Sequence, residues 1–348
     1  MIVTSKSTTF QSFADKPLDL SGKSILVTGG TGSFGKAFID SVLKTHKPRR
    51  LIVFSRDEFK QSQMASRYSQ KNANCLRFFI GDVRDKTRLE MAMLDIDIVI
   101  HAAALKHVPI AEYNPIECIN TNVVGAENVI QAAIRNKVSK VMALSTDKAV
   151  NPINLYGASK LASDKLFIAA NNLSGSAGTQ FSIVRYGNVI GSRGSVVPLF
   201  QKLKSEKKKL PITNSEMTRF WITLRQGVNF VLSSIGLMQG GEVFVPKLPS
   251  MRITEVACAL APDSEHVLVG IRPGEKLHEA LITREDALNT LALDDRYIIL
   301  PNFSMWRRDD FEYLGLDLKN VPEDFEYSSE SNEEWLSRQS FLDLVNEK

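Results

Sequence analysis

The stretch SILVTGGTGSFGKAFIDSVL, residues 24–43, decides the fold. It opens as a short apolar strand and closes as a segment with apolar residues at helical spacing. Gly29, Gly32 and Gly35 punctuate the turn between them in a GxxGxxG pattern. A diphosphate must approach backbone N–H groups closely at such a turn, and only glycine leaves room. Isolated, the glycine pattern is weak; directly after a strand and before an amphipathic helix it is strong. It predicts a dinucleotide loop made by Gly29, Thr31, Gly32, Ser33, Phe34 and Gly35. The expected class is therefore α/β: a Rossmann-type, doubly wound parallel sheet with a smaller C-terminal substrate-binding portion.

Working outward, a second strand at residues 51–55 ends in Ser55 and Arg56, with Asp57 and Lys60 beyond. An NAD-binding unit usually places an acid at that point for the ribose hydroxyls. The cationic pair Arg56 and Lys60 instead suits a 2′-phosphate, which favours NADP over NAD. Asp57 sits two residues late and reads also as the cap of the next helix. LRFFIGDVRD (76–85) places Asp82 and Val83 at a third strand tip, where an adenine could be met. DIVIHAAALKH (97–107) ends in Ala102, Ala103 and Ala104, small enough for a cofactor to lie against the backbone. Lys106 follows, a cation that would face both cofactor and an anionic substrate. His107 reads more simply as a hydrogen-bonded loop histidine.

The chemistry is expected in LSTDKAVNPINLYGASK, residues 144–160. Its apolar start is strand-like, so Thr146, Asp147 and Lys148 emerge at a strand's carboxyl end, where open α/β sheets bind ligands. Asn151-Pro152 forces a turn, and a helical pattern then places Tyr156 and Lys160 on one face. A tyrosine with its ordinary pKa of about 10 is protonated at neutral pH; an ammonium one turn away favours the phenolate. YxxxK by itself is equally readable as a surface pair, and the neighbouring residues shift that balance toward catalysis.

The 348 residues, 43% hydrophobic and 24% charged, describe an ordinary globular chain of one large domain or two. A net charge of +4 is too small to argue for nucleic acid, and the basic run KLKSEKKK (202–209) reads as a solvated helix end. Cys75, Cys118 and Cys258 have no metal or disulfide spacing, which fits a reducing cytosol and predicts no metal. No apolar run reaches the roughly 18 residues of a membrane span, and no signal-peptide core is seen at the start. A cytoplasmic protein without membrane partners is expected.

Residues 1–20 read as a loosely packed arm, 21–187 as the NADP-binding domain, 188–322 as the substrate portion and 323–348 as a tail with a peripheral helix. A sixth strand, FSIVRYGNVIGS, leads into the substrate portion. Strands near 242–245 and 297–300 are expected to complete that portion, with a return of some strands to the main sheet left open. GSRGSVVP (191–198), MTRFWIT (217–223) and IRPGEKLHE (271–279) are its polar interruptions. Arg193, Arg219 and Arg272 there can clamp a diphosphate or orient a sugar, against the plainer reading of scattered surface arginines.

TGGTGSFGK, FSRDEFKQ, FFIGDVRD, HAAALKHVPIAEYNP, the 144–160 stretch, VRYGNVIGSRGSVVP, MTRFWIT and IRPGEKLHE together resemble the inverting UDP-N-acetylglucosamine 4,6-dehydratases. These are extended short-chain dehydrogenase/reductases, and the likeness runs over residues 24–301. Larger relatives carry membrane segments ahead of this domain; this chain shows none. Some capsule-pathway relatives have methionine where this chain has Tyr156, which points instead to the branch opening pseudaminic-acid biosynthesis for flagellin glycosylation. The resemblance implies NADP as cofactor and UDP-N-acetylglucosamine as substrate. It also implies a homo-oligomer, dimer or hexamer. Tyr156, helped by Lys160 and beside Thr146, would take the 4-hydroxyl proton. Lys148 would act as base at C5, and Asp147 would protonate the departing 6-hydroxyl. Val189 joins the implied cofactor contacts. Lys106, Asn188, Arg193, Gly194, Ser195, Val196, Val197, Pro198, Arg219, Arg272 and Glu275 are the implied substrate contacts. Two other readings stay open: an epimerase or reductase on the same fold, and a non-catalytic NADP-binding scaffold. A base at C5 and an acid at C6 are what elimination β to a ketone requires, and adjacent Asp147 and Lys148 could supply both. For Lys148 this needs a lowered pKa, which only the surroundings can provide.

Overall fold

The computed structural model describes residues 11–14, 18–68, 73–192, 194–301 and 317–347. Six strands carry the first half: β1 (Ser24–Thr28), β2 (Arg50–Ser55), β3 (Leu76–Ile80), β4 (Ile98–His101), β5 (Lys140–Thr146) and β6 (Gln180–Tyr186). They lie in the order β3-β2-β1-β4-β5-β6, all parallel. Every residue of β1 is buried, as a strand covered by helices on both faces requires. Helix α1 (Ser33–Thr45) turns Phe38, Ile39 and Val42 onto the sheet at helical period. Strand order reverses between β1 and β4, so a ligand crevice opens above their carboxyl ends.

The sheet continues past β6. Val243–Pro246 pairs parallel with β6, Arg296–Ile299 and Thr290–Ala292 add antiparallel, and Lys319–Asn320 forms the edge. The strands expected near 242–245 and 297–300 thus extend the main sheet to ten strands. Between them sits a smaller core of its own, including Phe200, Leu210, Met217, Trp221 and Val256.

The chain enters that smaller body at Gly187, where FSIVRYGNVIGS breaks instead of running on as one strand. A Cβ at Gly187 would stand 2.7 Å from Phe220 Cβ, so only glycine lets the backbones pass. Asn188–Val189 then pairs with Thr218–Ile222 in a separate three-stranded sheet. The acidic tail was expected to be peripheral. Its helix Arg338–Asn346 instead buries Phe341 against Trp221, ring centroids 5.2 Å apart. Burying such a ring stabilises by about 1.5–3 kcal/mol, more than a loosely attached tail contributes.

The described part of the amino-terminal arm is also docked. Phe13 and Leu20 are buried, and Phe13 meets Phe230 edge-on at 5.1 Å. Gln226 and Asn229 of helix Leu224–Leu237 donate to the carbonyls of Gln11 and Ser12. Among the described residues no helix is long and apolar enough to cross a membrane. No cluster of potential metal ligands occurs there either.

Candidate active site

The glycine loop presents backbone, not side chains. α1 starts at Gly32 with no side-chain cap and no acidic residue in its first turn. Its free N–H groups and the positive end of its dipole therefore face the crevice. Gly29 has φ +65°, and a Cβ on it would lie 2.9 Å from the Ala102 backbone. An uncapped helix start above a floor stripped of side chains fits a dinucleotide diphosphate. Thr31 is buried in the loop, and Phe34 stacks on Phe38 at 5.9 Å. Thr28 fixes the floor: its hydroxyl accepts from Ala102 N at 3.1 Å and meets His101 Nδ1 at 2.9 Å. Burial, then the charge of Lys160, depresses His101 to about 3, so this ring is neutral. Ala103 and Ala104 continue the floor, half-buried.

At the end of β2, Ser55 is buried and accepts from Gln61 Nε2. Asp57 is the N-cap of helix α2 (Glu58–Ala65), accepting from Lys60 N at 2.9 Å. Its other oxygen holds Lys60 Nζ at 2.5 Å, so these two charges offset each other. Arg56 is 60% exposed, 3.9 Å from Asp82, whose carboxylate is shared with Arg84 at 2.8 Å. Val83 is buried against Gly125, so its side chain belongs to the core. These residues cluster at the carboxyl ends of β1 to β4.

β5 delivers the reacting groups. After Thr146 the chain makes a tight turn, Asp147–Ala149, and the helix Leu155–Leu173 begins after Asn154, whose side chain accepts from Gly157 N at 2.7 Å. A Cβ at Gly157 would collide with the Lys148 carbonyl oxygen, so glycine there seats the helix on the turn. Asp147 is fully buried; its Oδ1 accepts from Thr146 Oγ1 at 2.8 Å and from Lys148 Nζ at 3.0 Å. Its Oδ2 is buried without a partner. Burial pushes Tyr156 up to about 12, while the charge of Lys148 and the Thr146 hydroxyl pull it down. The cation expected to help Tyr156 is Lys160; Lys148 is a further one, and buried Lys160 also interacts with Asp164 and His101.

Beside these groups lies a cavity of about 310 Å³, lined by Lys106, Lys148, Asn188, Arg219, Arg272 and Glu275 among others. Asn188 Oδ1, Ser195 Oγ and Glu275 Oε2 are buried and unpartnered there, the state of groups that await a polar ligand. Gly194, Ser195 and Val196 line it too. Val197 and Pro198, expected with them, do not. Helix Val196–Ser205 turns Val197 into the smaller core, leaving Val196, Leu199 and Phe200 on the cavity side. Arg193 lies outside the described residues. Val189 is half-buried beside Asn188. Arg219, 4% exposed, is no surface arginine: its guanidinium donates to the carbonyls of Thr218, Lys276 and Leu277.

The loop IRPGEKLHE is tied to the catalytic stretch. Asn154 Nδ2 donates to Gly274 O at 2.7 Å, and Lys276 Nζ reaches Val150 O at 2.5 Å. Glu279, which the sequence reading passed over, is 2% exposed with Oε1 3.3 Å from Lys148 Nζ. Two carboxylates therefore face Lys148. They raise its pKa against the burial that would lower it, so the resting group is an ammonium. The lowered pKa that a lysine base needs is not present before substrate enters. The motif had shown an acid at its end; its distance from Lys148 in sequence hid the pairing.

The sheet order, the uncapped glycine loop and the tyrosine–lysine helix define an extended short-chain dehydrogenase/reductase. Residues 25–301 match the family described as polysaccharide biosynthesis protein, and the chain belongs to that family. Among its relatives is the UDP-N-acetylglucosamine 4,6-dehydratase (inverting) of Campylobacter jejuni. The two are 56% identical over 329 residues, 93% of this chain and 98% of the relative. A UDP-glucose 4-epimerase of Rickettsia canadensis is 44% identical over 80% of this chain and 82% of its own length. The crystal structure of Pen from Bacillus thuringiensis superposes with a TM-score of 0.85 at 34% identity, covering 95% of this chain and all of that one.

Proposed function

We propose that this chain is a C5-inverting UDP-N-acetylglucosamine 4,6-dehydratase, a hydro-lyase acting on a nucleotide sugar. The observation that carries it is the buried acid–amine pair, Asp147 and Lys148 at 3.0 Å, with Lys148 on the cavity and its charge felt by Tyr156. An epimerase needs only the tyrosine. The pair supplies what elimination adds, and the 56% identity to a curated inverting dehydratase runs over almost the whole chain.

The glycine loop would hold the diphosphate of a nicotinamide cofactor, and Arg56 is the group suited to the 2′-phosphate of NADP. When bound, a nicotinamide would supply the hydride chemistry, removal at sugar C4 and return at C6. Tyr156 would accept the 4-hydroxyl proton, with Lys148 and Thr146, and Lys160 on the same helix, offsetting the burial that holds its phenol protonated. One proton moved across the 3.0 Å contact turns the resting pair into protonated Asp147 and neutral Lys148 without changing net charge. Lys148 can then take the C5 proton, and Asp147 can give its proton to the 6-hydroxyl as water leaves. Lys106, Asn188 and Arg272 would bind the UDP-sugar. Cytoplasmic action as a homo-oligomer, at the start of pseudaminic-acid synthesis, belongs to the same reading.

The test is to incubate the purified protein with NADP and UDP-N-acetylglucosamine and follow C4, C5 and C6 by NMR. A 4-keto-6-deoxy product with C5 inverted and no net cofactor reduction is expected. A C4 epimer with its 6-hydroxyl intact would transfer the assignment to the epimerases; no turnover would support the scaffold reading.

A further inference from the structure

Glu279 lies 131 residues beyond Lys148 (279 minus 148), yet the fold buries its carboxylate against the lysine ammonium. Oε1 stands 3.3 Å from Lys148 Nζ and 3.8 Å from Arg219 Nε. Oε2 is buried, 3.7 Å from Lys276 Nζ, and accepts no hydrogen bond. Glu279 lines the cavity together with Lys148, Arg219 and Lys276. Its own backbone is fixed, since Glu279 N donates to Ser329 Oγ at 2.9 Å and Ser329 N donates back to Glu279 O at 2.7 Å. A carboxylate taken out of water at such expense, with one oxygen accepting no hydrogen bond, is placed for more than packing.

We propose that Glu279 is a positioning residue for the C5 proton transfer: it aims the Lys148 amine into the cavity and stabilises the ammonium that forms there. The proposal rests on the dehydratase reading, with Lys148 as base. In that step the C5–H bond breaks and its proton passes to the Nζ lone pair. The C5 electron pair forms the double bond to C6 as the C6–O bond breaks, and Asp147 supplies the proton that makes water. Asp147 begins the step protonated and ends it ionised; Lys148 begins neutral and ends charged. Only Glu279 faces Lys148 as an anion throughout, so its attraction grows as charge develops on Nζ. Five other charged or titratable groups surround this contact. Asp147 is the second carboxylate on Lys148, Tyr156 feels the lysine charge, and Arg219, Lys276 and Lys106 are the opposing cations.

The test is Glu279→Gln in a single turnover in D2O with NADP and UDP-N-acetylglucosamine, recording nicotinamide absorbance and C5 deuterium separately across pH. Cofactor reduction from C4 should proceed at close to the parent rate below the limb, because Glu279 does not act on Tyr156 directly and Lys148 keeps its charge there. C5 exchange above its pH limb should fall about 10- to 100-fold, and the limb should move to lower pH by about 1–3 units, because one of two anions raising Lys148 is gone. A rate and limb equal to the parent's overturn the proposal, as does a loss of both half-reactions together with the limb unmoved, the mark of a structural role. If Glu279→Gln fails to bind NADP or to melt cooperatively, Glu279→Asp carries the test, since it keeps the charge but withdraws it by one methylene. Slow C5 exchange with the limb retained supports positioning, and exchange at the parent rate overturns it. A parent protein that never forms a 4-keto-6-deoxy sugar refutes the dehydratase reading itself, which is a separate result.

Discussion

The glycine loop and the acid–base cluster are built in opposite ways. The loop is contiguous, Gly29 to Gly35, and leaves open backbone N–H groups that side chains would block. The cluster joins Asp147, Lys148 and Tyr156 of one stretch to Arg219 and Glu279 from distant segments, and is built of buried charge. A backbone site is damaged by adding atoms, and a charged site by removing them. That contrast sorts the substitutions below.

The largest effect is expected from Lys148→Ala. It should leave NADP binding near the parent value, because Lys148 stands beyond the loop, and should slow hydride loss from C4 far less than C5 exchange, since only the help Lys148 gives Tyr156 is lost there. C5 deuterium incorporation should drop at least 100-fold, the lower end of what acid–base groups contribute. Parent-rate C5 exchange in that variant would make the 146–148 turn purely structural and return the epimerase reading to the front.

Gly157→Ala tests where the two modes of construction meet. Its added methyl collides with the Lys148 carbonyl oxygen, so the turn carrying the base must shift while every charge remains. Misplacing a reacting group by about 1 Å can cost roughly 100-fold, so turnover should fall by about that factor with NADP affinity little changed. Normal turnover would show that the turn tolerates displacement, and would weaken the case for geometric precision in the cluster.

The contrast also explains what the sequence revealed. The loop, Tyr156, Lys160 and the Asp147-Lys148 pair are local patterns, set by spacing of a few residues. The partners of those groups are not. Lys148 adds its charge to Tyr156, although the helical spacing points only to Lys160. Glu279 reaches Lys148 only because Asn154 and Lys276 tie the 271–279 loop to the catalytic stretch. The strands 243–246 and 296–299 read correctly as strands, but their sheet depends on pairing across long separations, which period and composition do not encode. The 323–348 tail reads as peripheral because Trp221, the partner of its Phe341, lies 120 residues earlier (341 minus 221).

Gly29→Ala probes the loop by addition. At φ +65° an alanine is strained, and its methyl would press on the Ala102 backbone at 2.9 Å. Left-handed strain costs on the order of 1–3 kcal/mol, and relief by moving the floor spoils the diphosphate seat. NADP affinity measured by calorimetry should fall about tenfold or more, with the Asp147–Lys148 chemistry recovered at saturating cofactor. Recovery is the discriminating outcome, since a variant still inactive when saturated would show that loop and cluster are coupled.

The smallest effect is expected where the cofactor site departs from its own rule. Discrimination between NADP and NAD cannot come from backbone N–H groups, because both cofactors carry the same diphosphate. It must come from a side chain at the end of β2. Lys60 is held by Asp57, which also caps α2, so Arg56 is the cation left to meet a 2′-phosphate. A charge-assisted contact is worth about 1.5–3 kcal/mol, but an arginine 60% exposed is screened by solvent and already shares Asp82, so the lower end applies. Arg56→Ala should therefore weaken NADP about tenfold and leave NAD nearly unchanged, and the difference should shrink as salt is raised. Equal loss for both cofactors would mean that Arg56 holds the adenosine or the strand end instead. Any preference for NADP would then have to rest on Lys60 released from Asp57, which Asp57→Asn would expose as a gain in NADP affinity.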